Sequence, residues 1–230
     1  MLALVLALAT VVQPRGRPAP SPWGGRAVSL LGDEALIGRH LRGDGKAFEL
    51  LVARHARLAG AVAVSVLGDW HGAHDVVQEA FVKVLSGLPG LDDPASFKGW
   101  LRHVVRTTAL DHLRRRKVAG RGGDPLPEQD EDGQGGPLPA PGLLPEDLLE
   151  QAELRAQVRD EVGRLPESQR EVVLLKYIDG RSYEEIAELT GLTVATIESR
   201  LFRARAALRR RLAERFGAAQ GASRAAEGGG

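Results

Sequence analysis

The stretch from Ser182 to Arg215 constrains this 230-residue chain more than any other. Ser182 followed three residues later by Glu185 is a capping box, in which hydroxyl and carboxylate satisfy each other's orphan amides, so a helix is predicted to open at Tyr183. Gly191 follows the last apolar position of that helix, where a left-handed residue closes it, and Thr193 caps a second, longer helix. Stepping at about 100° per residue, Val194, Ile197, Leu201, Ala204, Leu208 and Leu212 share one side and are predicted to bury. Thr196, Ser199 and Arg203 centre on the opposite side, flanked by Arg200 and Phe202. Arg200, Arg203, Arg205, Arg209, Arg210, Arg211 and Arg215 outweigh Glu198 and Glu214 over this helix. Small hydroxyls let a helix approach a groove closely, and arginine reaches guanine edges or phosphates. A solvated amphipathic helix would carry the same charge run, but the capped helix, glycine turn and second helix together favour a DNA-reading helix-turn-helix.

The rest of the chain repeats helical spacing and lacks alternating, strand-like patterns. The expected fold is all-α: two small helical domains joined by a flexible acidic linker, the C-terminal one containing the helix-turn-helix. The absence of cysteine excludes a disulfide framework, a thiolate metal site and a cysteine redox switch. A net charge of +1 conceals the segregation of acids and bases along the chain. Arginine greatly outnumbers lysine, which suits phosphate and guanine contacts, although GC-rich coding produces the same bias.

Residues 1–28 differ from the remainder. The apolar run Leu2–Val12 is too short to span a bilayer, no basic residue precedes it, and no clear small-residue cleavage site closes it. A disordered extension or a wrongly assigned start is expected, rather than a secretory signal, and no stable membrane insertion. Residues 29–120 form the first domain. A helix opens at Asp33 and ends near Gly43–Gly45, a longer one runs from Ala47 through Val66 to a break at Leu67–Asp69, and a third spans Asp75–Leu85. In the third, Val76, Val77, Ala80, Phe81, Val84 and Leu85 occupy one half, with Asp75, Gln78, Glu79 and Ser86 opposite. By periodicity alone that polar stripe reads as solvated surface. His71 and His74 beside Asp69 and Asp75 have the residue types of a metal site. Without a fixed fourth ligand they read as surface histidines at a helix start, and no metal or cofactor is expected.

From Phe97 to Lys117 the chain becomes basic. Trp100, Val104, Leu110 and Leu113 can face a core, while Arg102, Arg106, Arg114, Arg115, Arg116 and Lys117 oppose only Asp111. A basic helix with exposed aromatics suits a strand tracked by charge and held by stacking. Equally, Phe97 and Trp100 can be core anchors. Residues 121–146 are Pro/Gly-rich and carry no Lys or Arg after Arg121, which reads as a spacer in preference to a nucleic-acid mimic. The second domain, residues 147–216, resumes helical spacing with Leu148, Leu149, Ala152, Val158 and Val162, and Pro166 starts the next helix. Residues 217–230 are an Ala/Gly-rich tail, expected to be disordered.

Four stretches together resemble the extracytoplasmic-function sigma factors of bacterial RNA polymerase. They are Ala47–Leu51 with Leu67–Asp69 and Asp75–Phe81; Phe97–Leu101 with Asp111–Arg115; Leu165–Val172; and Ser182–Ala187 through Ser199–Arg205. The resemblance implies that Asp75, Gln78 and Glu79 dock on the clamp helices of core polymerase, reversing the reading from periodicity. It implies that Trp100, Arg102, Arg106, Thr107, Asp111, Arg114 and Arg115 engage the downstream promoter element and its opened strand. It implies that Thr196, Ser199, Arg200, Phe202 and Arg203 read the upstream element as duplex. A cytoplasmic, non-enzymatic initiation factor follows, answering a stress or envelope signal, with core RNA polymerase, promoter DNA and an anti-sigma factor as partners and no small-molecule substrate. The chain departs from the family at Thr107, usually Asn, and at Glu198, often basic and here toward the buried edge of its helix. Two rival readings remain: a dimeric helix-turn-helix regulator on palindromic sites, and a hydrolase or metal enzyme built on His71 and His74.

Overall fold

The computed structural model describes residues 31–119 and 145–227, which fall into two separate units and contain helices but no strand. Residues 1–28 and all but the last two residues of the linker lie outside the described residues.

The first unit comprises α1 (Asp33–Leu41), α2 (Gly45–Leu67), α3 (His71–Gly87), short 3₁₀ turns at Leu88–Gly90 and Pro94–Ser96, and α4 (Phe97–Ala119). Helix α2 packs on α1, α3 and α4, and α3 packs on α4. It is long and apolar enough to cross a bilayer, yet Leu51, Leu58, Ala61 and Val62 are fully buried within the unit, so α2 is its central core helix. It closes at Gly68 (φ 73°), whose amide donates to the Val64 carbonyl at 2.8 Å, a backbone state that favours glycine. Asp33 fastens α1 to α2, accepting from Arg54 Nη1 at 2.7 Å and lying 2.9 Å from Nε2 of the buried His55. Burial alone would raise the Asp33 carboxyl, but the hydrogen bonds and charges of His55 and Arg54 carry it down to about 2.

Three expectations are corrected here. Helix α3 begins at His71, not Asp75, because the Asp69 carboxylate accepts from the amides of His71 (2.9 Å) and Gly72 (3.1 Å) and so caps an earlier start. Leu85, assigned to the core half of α3, is exposed together with Val82. In α4 the buried stripe is Phe97, Leu101, Val105, Thr108 and Ala109, whereas Trp100, Val104, Leu110 and Leu113 are half-buried. The stripe is turned by one residue because Phe97 takes the interior position, its ring 5.2 Å from His55 in an edge contact. Trp100 lies instead over Gly87, where a Cβ would come within 3.0 Å of the indole.

The second unit comprises α5 (Pro145–Gly163), α6 (Glu167–Tyr177), α7 (Tyr183–Thr190) and α8 (Val194–Glu227), with α8 packed on the other three. Val158, Val162, Val172 to Leu175, Ile186 and the inner face of α8 form its core. Pro166 stands at the cap, one residue before α6, in an extended conformation (ψ 141°) with its carbonyl accepting from Gln169 and Arg170 at 2.9 Å. Beyond residue 217, where a disordered tail was expected, α8 continues to Glu227; alanine, frequent there, has the best helix propensity.

Candidate nucleic-acid interface

The turn between α7 and α8 is built by local chemistry. Ser182 Oγ accepts from the Glu185 amide at 3.1 Å, and a Glu185 carboxylate oxygen accepts from the Ser182 amide at 2.8 Å. Gly191 (φ 73°) closes α7, its amide on the Ala187 carbonyl at 2.8 Å, and Thr193 Oγ1 accepts from the Thr196 amide at 3.2 Å to open α8. The Thr196 hydroxyl is drawn back to that cap, 2.8 Å from Thr193 Oγ1.

The inner stripe is buried as expected at Ile197, Leu201, Ala204, Leu208 and Leu212, with Val194 half-buried. On the outer face Ser199, Phe202 and Arg203 are exposed, Phe202 at 73%, and Thr196 and Arg200 are half-buried beside them. Arg203 is ordered on this face by Ser199, its Nη2 donating to Oγ at 3.0 Å and its Nε to the carbonyl at 3.3 Å. Glu198 is exposed, not at the buried edge. The described arginines of α8 divide: Arg200, Arg203, Arg209 and Arg210 line exposed or half-exposed positions, while Arg205 hydrogen-bonds to α6 and Arg211 and Arg215 form ion pairs with α5. The carboxylate of Glu161, almost wholly buried, takes Arg164 at 3.1 Å and Arg215 at 3.3 Å, with Arg211 at 3.9 Å; Asp160 takes Arg164 at 3.1 Å and Arg215 at 2.8 Å. This cluster joins α5 to α8, and the charge left free on the helix is correspondingly smaller than the count of arginines suggests.

In the first unit the basic end of α4 is met by acids. Arg114 pairs with Asp111 at 2.9 Å, Arg115 with Glu79 at 2.7 Å, and Arg116 with Asp69 at 3.5 Å. Glu79 also takes Lys83 at 2.8 Å, and Lys83 donates to the buried Thr108 hydroxyl at 3.2 Å. Hydrogen bonds from Lys83 and then Arg115 hold the Glu79 carboxyl below the usual range. A residue expected to face polymerase and one expected to face promoter DNA are thus joined in one ion pair. Asp75 and Gln78 are exposed on the same helix. Thr107 is exposed, and its hydroxyl donates to the carbonyls of His103 and Val104, both at 3.0 Å. Trp100, Arg102 and Arg106 are half-buried along α4, with Trp100 6.2 Å from the Phe97 ring. Asp69 is committed to amides and Arg116, and His74 lies 2.7 Å from the Gln78 amide. Among the described residues no three His, Asp or Glu side chains gather as metal ligands. The spacing gave no role to Lys83, Thr108 or Glu161, although Lys83 four residues after Glu79 and Glu161 three before Arg164 carried a local signal.

A capped short helix, a glycine turn and a long helix with a hydroxyl–arginine face over a buried stripe define a helix-turn-helix DNA-binding unit, preceded by a separate helical unit with a basic last helix. Residues 51–118 match the family described as "Sigma-70 region 2" and residues 155–208 match "Sigma-70, region 4". The chain belongs to the extracytoplasmic-function sigma factors of RNA polymerase, within the sigma-70 family. It is 31% identical over 179 residues to ECF RNA polymerase sigma factor SigW of Bacillus subtilis, covering 74% of this chain and 91% of the relative. To the ECF RNA polymerase sigma-E factor of Escherichia coli K12 it is 34% identical over 180 residues, covering 77% and 93%. A solved structure of CnrH, in complex with the cytosolic domain of CnrY, is similar with a TM-score of 0.50 and 30% identity, covering 78% of this chain and 96% of that one. Family membership favours the sigma-factor reading over a dimeric operator-binding regulator.

Proposed function

We propose that residues 29–120 attach the chain to core polymerase and open the promoter, that residues 121–146 act as a spacer, and that residues 147–216 read the upstream element. Asp75 and Gln78 present the polar face that core polymerase takes, with Glu79 at its edge. Trp100, Arg102, Arg106, Thr107, Asp111, Arg114 and Arg115 contact the downstream element and its separated strand. Thr196, Ser199, Arg200, Phe202 and Arg203 enter the major groove of the upstream element. Each unit offers a small basic surface, so each binds DNA weakly alone. Core polymerase holds both at promoter spacing and turns two weak contacts into one specific complex.

The observation that carries this reading is the division of α8: Ile197, Leu201, Ala204 and Leu208 are at most 1% exposed, whereas Ser199, Phe202 and Arg203 stand outward on the opposite side. The factor works in the cytoplasm, where core polymerase is, and supplies recognition while polymerase supplies the chemistry. CnrH was solved with a protein partner, the cytosolic domain of CnrY, and an anti-sigma factor is the protein partner proposed to restrain this chain. Run-off transcription with purified core polymerase on genomic fragments tests the reading: discrete transcripts that require the chain support it, and their absence overturns it.

A further inference from the structure

We propose that Arg205 is a positioning residue for promoter reading, fixing α8 against α6 and α7 instead of contacting DNA. The proposal rests on the reading of α8 as the helix that reads the upstream element.

Arg205 belongs by sequence to the basic run of α8, two residues beyond Arg203. Two residues turn a helix by about 200°, which puts Arg205 toward the buried side rather than the outer face. Its guanidinium does not reach for solvent. Nε donates to the Tyr177 hydroxyl at 2.8 Å, Nη2 approaches the Tyr183 hydroxyl at 3.5 Å, and the guanidinium carbon lies 5.8 Å from the Tyr177 ring centre. Tyr177 is the last residue of α6 and Tyr183 the first of α7. One side chain of α8 therefore grips both ends of the α6–α7 connection.

That connection is itself braced. Lys176 Nζ sits 4.6 Å from the Tyr183 ring centre and donates to the Arg181 carbonyl at 3.0 Å; Arg181 bonds Asp179, and Gly180 (φ 79°) makes the turn between them. The chemistry suits a fixed joint. A planar guanidinium presents several donors in one rigid fork and can serve two hydroxyls at once, which a lysine ammonium on a flexible stem does not reproduce. The bonds run to neutral phenols, so salt screens them less than an ion pair at the surface. Ser199 and Arg203 lie within two turns of this joint, and base contacts weaken steeply with small errors of distance and angle.

The test uses polymerase holoenzyme containing the full chain, a promoter fragment identified by run-off transcription and an unrelated duplex of equal length. Affinity for each is measured across a salt series for Tyr177→Phe, Arg205→Lys, the two combined, Arg205→Ala and Arg203→Ala. The expected result is a fall of about three- to tenfold in the promoter-to-unrelated affinity ratio for Tyr177→Phe and Arg205→Lys. The salt slope stays unchanged, and the double variant is no worse than Arg205→Lys alone. A fall in salt slope by about one in Arg205→Ala, with equal weakening on both duplexes, would identify a phosphate contact and overturn the proposal. An unchanged ratio with only a lower melting temperature would overturn it in favour of a purely structural role. If Arg203→Ala also leaves the ratio unchanged, the reading of α8 itself is lost and the proposal falls with it. If Arg203→Ala lowers the ratio and Arg205→Lys does not, the proposal alone fails.

Discussion

Replacing Arg203 by alanine removes an exposed guanidinium from the outer face of α8, and the geometry sets what that loss is worth. The side chain is exposed, so its removal leaves no cavity and no buried orphan; the stability of the second unit is expected to change by less than about 0.5 kcal/mol. Its guanidinium is held by Ser199 at 3.0 and 3.3 Å, which orders the fork before DNA arrives and lowers the entropy lost on binding. A bidentate contact to guanine contributes about 1–3 kcal/mol of discrimination, or roughly 5- to 150-fold in promoter affinity. Ser199→Ala, which removes the Oγ bond to Nη2 but keeps the carbonyl bond to Nε, is expected to cost less, about 0.5–1.5 kcal/mol. A double variant that resembles Arg203→Ala alone shows Ser199 acting through Arg203, whereas losses that sum give Ser199 a DNA contact of its own. The assay is holoenzyme binding to the cognate promoter and to single-base variants of its upstream element. Arg203→Ala must flatten the preference at one base pair; an unaltered promoter profile refutes the assignment of Arg203.

Three further outcomes follow from other parts of the molecule. The Asp33 carboxyl is depressed from 3.8 to about 2 in the folded chain, so its stabilisation is full above the unfolded value and is lost as pH falls from about 4 toward 2. Asp33→Asn should therefore lower the stability of the first unit by roughly 2–3 kcal/mol at neutral pH and remove part of its acid sensitivity, read by thermal denaturation from pH 2 to 7. Glu79 and Arg115 are partly exposed, so a double-mutant cycle with Glu79→Gln and Arg115→Gln should return a coupling of only about 0.2–1 kcal/mol in stability; a coupling above about 2 kcal/mol would mean that the pair anchors α3 to α4. Ser182→Ala deletes the capping box and should cost about 1 kcal/mol, whereas Leu201→Ala, which empties a fully buried site, should cost about 2–5 kcal/mol; both are measured by urea denaturation.

What could be read from the chain alone was whatever depends on neighbours in sequence. The capping box at Ser182, the left-handed Gly191, the Thr193 cap and the buried stripe of α8 all arise within three or four residues, and each stands where spacing put it. The α4 stripe was misjudged by one residue because a large Trp100 looked like a core residue. The interior instead takes Phe97 and the small Thr108 and Ala109, and the notch at Gly87 on α3 receives the Trp100 indole. The start of α3 was missed because its capping carboxylate, Asp69, lies outside the apolar pattern. Long-range pairs carried no signal in the spacing. Arg115 meets Glu79 across 36 positions, and Arg205 meets Tyr177 across 28, so charge counts assigned to nucleic acid several cations that the fold spends on itself.

The central claim is that selectivity arises when core polymerase spaces the two units along a promoter. The most direct measurement compares binding of the purified chain to a cognate promoter fragment with and without core polymerase, at one salt concentration. Tight, sequence-selective binding only in the presence of core polymerase is the predicted result. Equally tight and selective binding by the chain alone, above all to a symmetric site, would contradict it.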